Sequence, residues 1–546
     1  MVAMGKKILA IHDGHNASVG VFDGANVLSA ISEERLNRDK FFWGYPALAV
    51  DRALADADVS IEDIECVTVS HLSSAAYAKR KFSHISSYNP RYFAGHVYNV
   101  IESFWREKRI HALKGKEFFF CDHHRAHAAS AYYMCGWEDA LVLTIDALGD
   151  QLSHTAYFVQ NDSWQLLAEG GAKASLGAFF AAVTEGLGFK ANRHEGKVVG
   201  LAAMGTAKEA APFLSGLVVL TDDGRSFRRK PYAEMKQAVE RALTSGVSRE
   251  SVAACAQHML EELVLGHVRI LMKETGARRI ACAGGVFANV KLNQRILEES
   301  GIEDLFIQPA MGDEGLVLGA PLAYLSSIGE RPPLRALEHL YLGNAASEEE
   351  ILESVKVAGM KIEVLKNPAE DTAQILVRGE IVGWFDGRME FGPRALGARS
   401  IIADPRTRDI NGILNKRLQR SDFMPFAPSV LENRADEVFD VRGARLAAEF
   451  MTITMNVRPL WADKVPAIVH ADRTARPQFV RRSSNSAYFD VIDAFSRLSG
   501  VPLVLNTSFN IHEEPIVSSP EDAIRALQSN AVDCVVFNNR YVVRRL

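Results

Sequence analysis

The sequence predicts an α/β protein of two domains whose first half is a duplicated unit of three strands followed by helix. Three observations lead there. A chain of 546 residues is too long for one hydrophobic core. A strand–turn–strand–turn–strand pattern occurs twice before residue 171. A proline-containing polar stretch, GERPPLRA, then separates this half from a segment of different character.

The first copy runs from Lys6 to Glu34 as KKILAIHDG, NASVGVFDG and ANVLSAISEE. Gly14 marks its first turn, and Asp23-Gly24 is a tight-hairpin signal at the second. The second copy, Asp139 to Gly170, reads DALVLTIDALGD, SHTAYFVQND and SWQLLAEGG. Helical segments follow each copy, Pro46 to Ala55 and Leu176 to Leu187. Two related halves imply a cleft with polar turns facing across it. Asp and Gly suit such turns, because backbone N–H groups can then approach an anion and carboxylates can hold a cation.

Between the copies, the strand KEFFFCD leads into the helix HHRAHAASAYYM, with Asp122 as its N-cap. His123 and His127 are one helical turn apart, so their imidazoles share a face, about 6 Å apart at Cβ. Two neutral imidazoles bind a divalent transition metal when oxygen ligands complete the shell. Asp146, at the end of the duplicated first strand, and Asp313, in QPAMGDEGLVLGA, are the candidates. His124 points elsewhere on the helix and would orient a ligand. Glycine-rich turns accompany the histidines. Gly284-Gly285 follows the strand RRIACA, GDEG opens a further helix, and EGKVVGLAAMG offers Lys197 as a phosphate contact. Each turn alone is ordinary packing; their occurrence together with the histidines points to a nucleotide.

The first domain is expected over residues 1–335, and residues 336–366 form a linker and connecting helix, with Ser347 and Glu350 as a capping box. The second domain is expected over 367–546. There Arg388, Arg394, Arg399, Lys416, Arg417, Arg420 and Arg476 stand beside Gly, Pro and Ser in loops, where guanidinium forks suit phosphate oxygens.

Bulk properties exclude several classes. Hydrophobic residues make up 48% and charged residues 24%, ordinary for a globular chain. The net charge is −5 with no Lys/Arg tract, so no nucleic-acid partner is expected. No apolar run reaches the roughly eighteen residues of a membrane span. The six cysteines lack C-x-x-C spacing and read as buried thiols of a reducing compartment. Met1 to Lys7 lacks the apolar core of a signal peptide, and a cytoplasmic location is expected.

GHNAS (Gly14 to Ser18), EER (Glu33 to Arg35), HHRAHA (His123 to Ala128) and SLGAFFAAVTEGLGF (Ser175 to Phe189) form an ordered series. EGKVVGLA (Glu195 to Ala202), AGGVFANVKLN (Ala283 to Asn293) and GDEGLVLGA (Gly312 to Ala320) complete it. This series resembles the O-carbamoyltransferases of antibiotic and nodulation-factor biosynthesis, such as the tobramycin and cephamycin type. The resemblance implies a first domain of the actin/sugar-kinase/chaperone-ATPase fold, similar to the universal tRNA threonylcarbamoyl-transfer protein. It implies that His123, His127, Asp146 and Asp313 bind an iron(II)-type ion touching the phosphate of carbamoyl-adenylate, and that His15 is the general base on the acceptor hydroxyl. Lys197, Gly284, Gly285 and Asn289 would contact the nucleotide. The usual D-G-x-G-D turn is here Asp146-Ala147-Leu148-Gly149-Asp150, a departure expected to alter loop geometry and acceptor choice.

FGPRALGARS and NTSFN are intact signatures of the family's second domain, similar to the threonylcarbamoyl-adenylate synthase fold. By resemblance Arg394, Arg476, Ser508 and Asn510 hold the triphosphate and carbamoyl groups of ATP and carbamoyl phosphate, with Mg²⁺ on the ATP. Many members are rich in Lys and Arg where this chain has NKRLQRSDFMPFAP. Leu418 and Met424 replace basic residues there, Arg420 is retained, and Lys416 or Arg417 is expected to substitute. The implied activity is formation of carbamoyl-adenylate, then transfer of the carbamoyl group to the hydroxyl of a small natural product. A homodimer is an allowed assembly. A tRNA-modifying relative would need a nucleic-acid surface that the acidic balance disfavours, and a pure nucleotide-binding scaffold has no use for the histidine pair.

Overall fold

KILAIH and ALVLTI are continuous apolar runs because each becomes the central strand of a sheet covered on both faces. In the computed structural model, which describes residues 5–83, 103, 113, 115–419 and 425–545, the first sheet contains β1 (Lys7–His12), β2 (Ser18–Asp23), β3 (Asn26–Ser32), β4 (Cys66–Val69) and β5 (Glu117–Phe120). Its order is β3-β2-β1-β4-β5, with β1–β2–β3 antiparallel and β1, β4 and β5 parallel.

The second sheet begins with β6 (Asp139–Gly149), β7 (Leu152–Gln160) and β8 (Ser163–Gly171). After a separate hairpin of β9 (Val218–Leu220) and β10 (Phe227–Arg229), it is completed by β11 (Arg279–Ala283) and β12 (Asp304–Ile307). Read from β8, the order is β8-β7-β6-β11-β12, with the same antiparallel and parallel pairings as the first. The duplication expected from the sequence is therefore one of connectivity, and the first unit has the actin/sugar-kinase-like architecture. The helices His123–Cys135 and Leu316–Ser327 pack on each other, in a core that contains Ile8 and Ala10 of one sheet and Val142 and Ala281 of the other. Every residue of His123–Cys135 except Arg125 is buried, so the helix carries no amphipathic stripe.

The second unit is a mixed sheet. Its strands are β13 (Lys361–Val364), β14 (Val382–Phe385), β15 (Arg399–Ala403), β16 (Ala427–Leu431), β19 (Gln478–Val480), β20 (Leu503–Ser508), β21 (Cys534–Phe537) and β22 (Tyr541–Arg544), with β17 (Met455–Asn456) and β18 (Thr474–Ala475) as a small ribbon. The order is β13-β22-β21-β14-β15-β20-β16-β19. Ser347 and Glu350 form the anticipated capping box. The helix that they cap packs on the helix Pro520–Gln528, and β13 pairs with β22, so the latter part of the connecting stretch is built into the second unit. Residues 340–344 are not a loose tether either. Leu342 O accepts from Ala30 N–H of β3, while Gly343 N–H donates to Met389 O and Met389 N–H to Asn344 O. Buried backbone must pair, and this segment pairs with both units at once.

Two arginines grouped above as phosphate ligands are structural. Arg399 is fully buried. It donates to the carbonyls of Asp386, Gly387, Ala398 and Asn344, with its guanidinium 3.6 Å over the Phe385 ring. Arg388 donates to Leu342 and Gly343 carbonyls. Arg399→Met is expected to destabilise the protein by about 3–5 kcal/mol, because four carbonyls, those of Ala398 and Asn344 on buried residues, lose their donors. Chemical denaturation followed by intrinsic fluorescence measures this. Leu418, where the family resemblance leads one to expect a basic residue, lies in the apolar core. A charge is excluded there by the cost of burying it unpaired. The six cysteines are buried and free. Among the described residues no helix is long and apolar enough to cross a membrane.

Candidate active site

The turn that ends β6 and the first turn of the histidine helix are built against each other. Asp122 caps the helix, accepting from Arg125 N–H at 3.0 Å. Asp150 accepts from His123 N–H at 2.9 Å and from Leu72 N–H at 3.0 Å, so the last residue of the D-A-L-G-D turn holds the start of the helix. A Cβ at Gly149 would collide with the His123 ring, which explains the glycine retained there. The Ser175 hydroxyl donates to Ala147 O and caps the following helix, securing the altered turn from below.

This framework brings together the four predicted ligands. His123 Nε2 lies 3.4 Å from Asp146 Oδ2 and 3.6 Å from Asp313 Oδ1. His127 Nε2 lies 3.4 Å from Asp146 Oδ2 and 3.8 Å from Asp313 Oδ1. The four donor atoms all lie within 4.8 Å of one another. His127 Nε2 is buried without a hydrogen-bond partner, although it faces two carboxylates. A buried nitrogen left in that state, within a two-imidazole, two-carboxylate set, fits a divalent transition metal. Burial alone would favour neutral His123; the Asp313 and Asp146 carboxylates outweigh it and raise the imidazole to about 9. Burial would likewise raise Asp146, but the hydrogen bond from His123 and the adjacent His127 imidazole hold it well below the usual carboxylate range. His124 does not reach the quartet and instead bonds Thr144 Oγ1 at 2.7 Å.

His15 stands beside the quartet. His12 Nε2 is 2.9 Å from His15 O and 4.0 Å from Asp313 Oδ2. The His15 ring stacks on Phe41, with centroids 5.8 Å apart and planes 5° apart, and Trp43 meets its edge. Glu314, next to Asp313, accepts from Asn16 Nδ2 at 3.3 Å, while Ser18 Oγ donates to Glu314 O. Thus GHNAS and GDEG, one from each half, are tied together. Burial pushes the Glu314 carboxyl up to about 7.

Phe41 also lines a cavity of about 370 Å³ between the two units, within the range of small-ligand pockets. Lys40, Arg193, His194 and Lys197 approach it from the first unit. Arg394, Arg476, Ser508 and Asn510 approach from the second, with His470 and Thr507. The FGPRALG loop presenting Arg394 is rigid. Glu390 Oε1 accepts from the N–H groups of Leu396, Ala398 and Arg399, and Arg35 of the first unit donates to Gly392 O. Burial lowers Arg394 to about 10, partly offset by Glu314. Burial, then repulsion from Arg394, pulls Arg476 well below the usual guanidinium range. The Nε atoms of both are buried without partners. Two guanidiniums facing one cavity in this state are poised for an anion.

Other predicted residues fall elsewhere. Lys197 joins the arginine cavity rather than the Gly284 turn. Gly284 has φ 104°, and a Cβ there would strike the backbone of Ile145, so this glycine serves close packing on β6. Gly285 follows it, exposed, at the start of a short turn whose Val286 and Phe287 are buried. Asn289 is committed: its amide exchanges hydrogen bonds with Gln257 and caps the helix Val290–Glu299. Asn510 donates to Ile511 O and Glu514 O, shaping its loop. Lys416 is exposed and outside the cavity lining, and Arg417 pairs with Asp533 at 2.8 Å. Arg420 and Met424 lie outside the described residues. Sequence reasoning missed His12, Asp150, Glu314, Glu390 and His470. Asp150 and Glu314 sit inside motifs already singled out, so their signal was position; His12, Glu390 and His470 offered none beyond adjacency.

Comparison with known proteins places the chain in a family. Residues 7–322 match the family described as carbamoyltransferase N-terminus, and 373–545 match carbamoyltransferase C-terminus. Nodulation protein NolNO of Sinorhizobium fredii is 33% identical, over 98% of this chain and 79% of its own length. Nodulation protein NolO of Bradyrhizobium diazoefficiens is 35% identical, over 78% of this chain and 79% of its own. Among solved structures, full-length HypF in a phosphate- and nucleotide-bound form covers 60% of this chain and 56% of that one, at 13% identity and a TM-score of 0.39. With both of the family's domains matched along the chain, the protein belongs to the carbamoyltransferase family and is a carbamoyltransferase enzyme.

Proposed function

We propose that this enzyme makes carbamoyl-adenylate from ATP and carbamoyl phosphate in the arginine cavity, then transfers the carbamoyl group to a natural-product hydroxyl beside His15. The observation that carries the reading is the pair of half-buried guanidiniums, Arg394 and Arg476, their Nε atoms buried without partners, in a cavity whose wall includes Phe41, the ring on which His15 stacks.

Carbamoyl phosphate first loses phosphate to water, giving carbamate. A carbamate oxygen attacks the α-phosphorus of Mg²⁺-ATP, the bond to the β-phosphate oxygen breaks, and pyrophosphate leaves. The work of the protein is to position two anions and neutralise their charge, which Arg394, Arg476 and Lys197 supply. In the second step His15 takes the proton of the acceptor hydroxyl as its oxygen attacks the carbamoyl carbon, and AMP departs. Stacking on Phe41 holds the imidazole for that transfer. His123, His127, Asp146 and Asp313 would hold an iron(II)-type ion, which when bound supplies a Lewis acid for the adenylate phosphate.

The test is a coupled one. Purified protein is expected to release pyrophosphate from ATP only when carbamoyl phosphate is present, and mass spectrometry of a panel of hydroxylated metabolites should find one gaining a carbamoyl group. Pyrophosphate release independent of carbamoyl phosphate would overturn the reading. The metal assignment has its own measurement. Elemental analysis is expected to find one divalent ion per chain in the native protein and none in Asp146→Asn. Chelation should lower the melting temperature of the native protein alone, by the equivalent of about 2.7 kcal/mol if metal stood a hundredfold above its Kd.

A further inference from the structure

After NTSFN the second unit makes a turn, residues 511–514, that the first unit grips from two sides. Arg38 donates to Pro515 O at 2.8 Å and Ile516 O at 2.7 Å. On the other side Glu513, with a left-handed φ of 66°, puts its carboxylate into the segment 190–194 of the first unit. It lies 3.1 Å from His194 Nε2, 3.5 Å from Lys190 Nζ and 3.8 Å from Arg193 Nη1, with His512 Nε2 at 3.5 Å. The contact to His194 above all holds the Glu513 carboxyl down to about 2.

One carboxylate thus sits among three basic groups of the opposite unit, more than a single strut between units requires. Arg193, His194 and Glu513 also line the arginine cavity, which places the cluster on its wall. The side chains of Lys190, Arg193 and Glu513 are 62%, 41% and 35% exposed, so solutes reach them. Inward lie Arg394 and Arg476. A run of cationic groups therefore leads from solvent to the cavity floor, and a carboxylate of the protein occupies its outer end.

We propose that Lys190, Arg193 and His194 form an oxyanion-docking site at the cavity mouth, occupied by Glu513 at rest and yielded to a phosphate or pyrophosphate group as it passes. This rests on the reading of the cavity as the place where ATP is cleaved, since that reaction moves such groups through the mouth. Glu513 then acts as a built-in competitor that keeps the site closed to weaker anions.

Calorimetric titration of the full chain with inorganic pyrophosphate alone, and separately with inorganic phosphate, tests it. Glu513→Gln is expected to tighten binding roughly three- to tenfold, the effect of removing one partly exposed competing charge. The gain should vanish when Lys190→Ala and Arg193→Ala are added, and this pair with Glu513 intact should bind more weakly than the native protein. A gain with pyrophosphate alone assigns the site to the ATP-derived product, and a gain with both anions to single phosphoryl groups; either supports the proposal. Unchanged or weaker binding by Glu513→Gln would make the carboxylate a strut and overturn it. So would a gain that survives loss of Lys190 and Arg193. Failure of the native enzyme to release pyrophosphate from ATP and carbamoyl phosphate would instead strike the reading of the cavity, and the two failures are read in separate assays.

Discussion

Arg394→Ala is expected to reduce carbamoyl phosphate-dependent pyrophosphate release by about 10²–10³-fold, the scale of removing one preorganised donor from a developing phosphate charge. The same variant should melt no lower than the native protein, and slightly higher is expected. Its Nε is buried and unpartnered and its charge repels Arg476, so its loss relieves an unfavourable contact. The surrounding loop does not depend on that side chain, because Glu390 holds it through the N–H groups of Leu396, Ala398 and Arg399. Lower activity with equal or greater stability is the mark of a site that stores unfavourable electrostatics for its ligand. Synthetic carbamoyl-adenylate supplied directly should still be used. A variant unable to use it would place Arg394 in the transfer step.

His15→Ala should divide the reaction the other way. Loss of a positioned general base costs about 10²–10⁴-fold, and that loss is expected in acceptor carbamoylation while pyrophosphate release continues near the native rate. The half-buried His15 ring is held only by Phe41 and Trp43 among described ring contacts, and its backbone carbonyl still accepts from His12 in the variant. The fold therefore has little reason to change, and a rapid-quench comparison of both half-reactions reads the chemistry. Equal loss in both would mean that His15 shapes a common interior and does not act on the acceptor.

Legibility followed the range of the interactions. The paired imidazoles could be read because 3.6 residues per turn fixes where residues four apart must point. The duplicated strands could be read because each hairpin closes locally, and Asp122 and the Ser347–Glu350 box are caps satisfied within one turn. Position in a motif was a poorer guide to role. Asn289 and Gly284 lie in AGGVFANVKLN, yet one caps a helix against Gln257 and the other makes room for Ile145. Arg399 and Arg417 look like phosphate ligands in a list of basic residues, but their partners are carbonyls and Asp533.

By itself, then, the sequence determined the repeated α/β plan, the helix that aligns His123 with His127, and the family to which the motifs belong. These rest on local periodicity and on residues near one another in the chain. Only the tertiary structure decided that Asp146 and Asp313 close on that pair, that Arg394 and Arg476 face each other unpaired, and that Lys197 shares their cavity. Those relations depend on how sheets and units pack. A guanidinium carries the same charge whether it meets a carbonyl, a carboxylate or an open cavity, and only its surroundings separate a strut from a ligand.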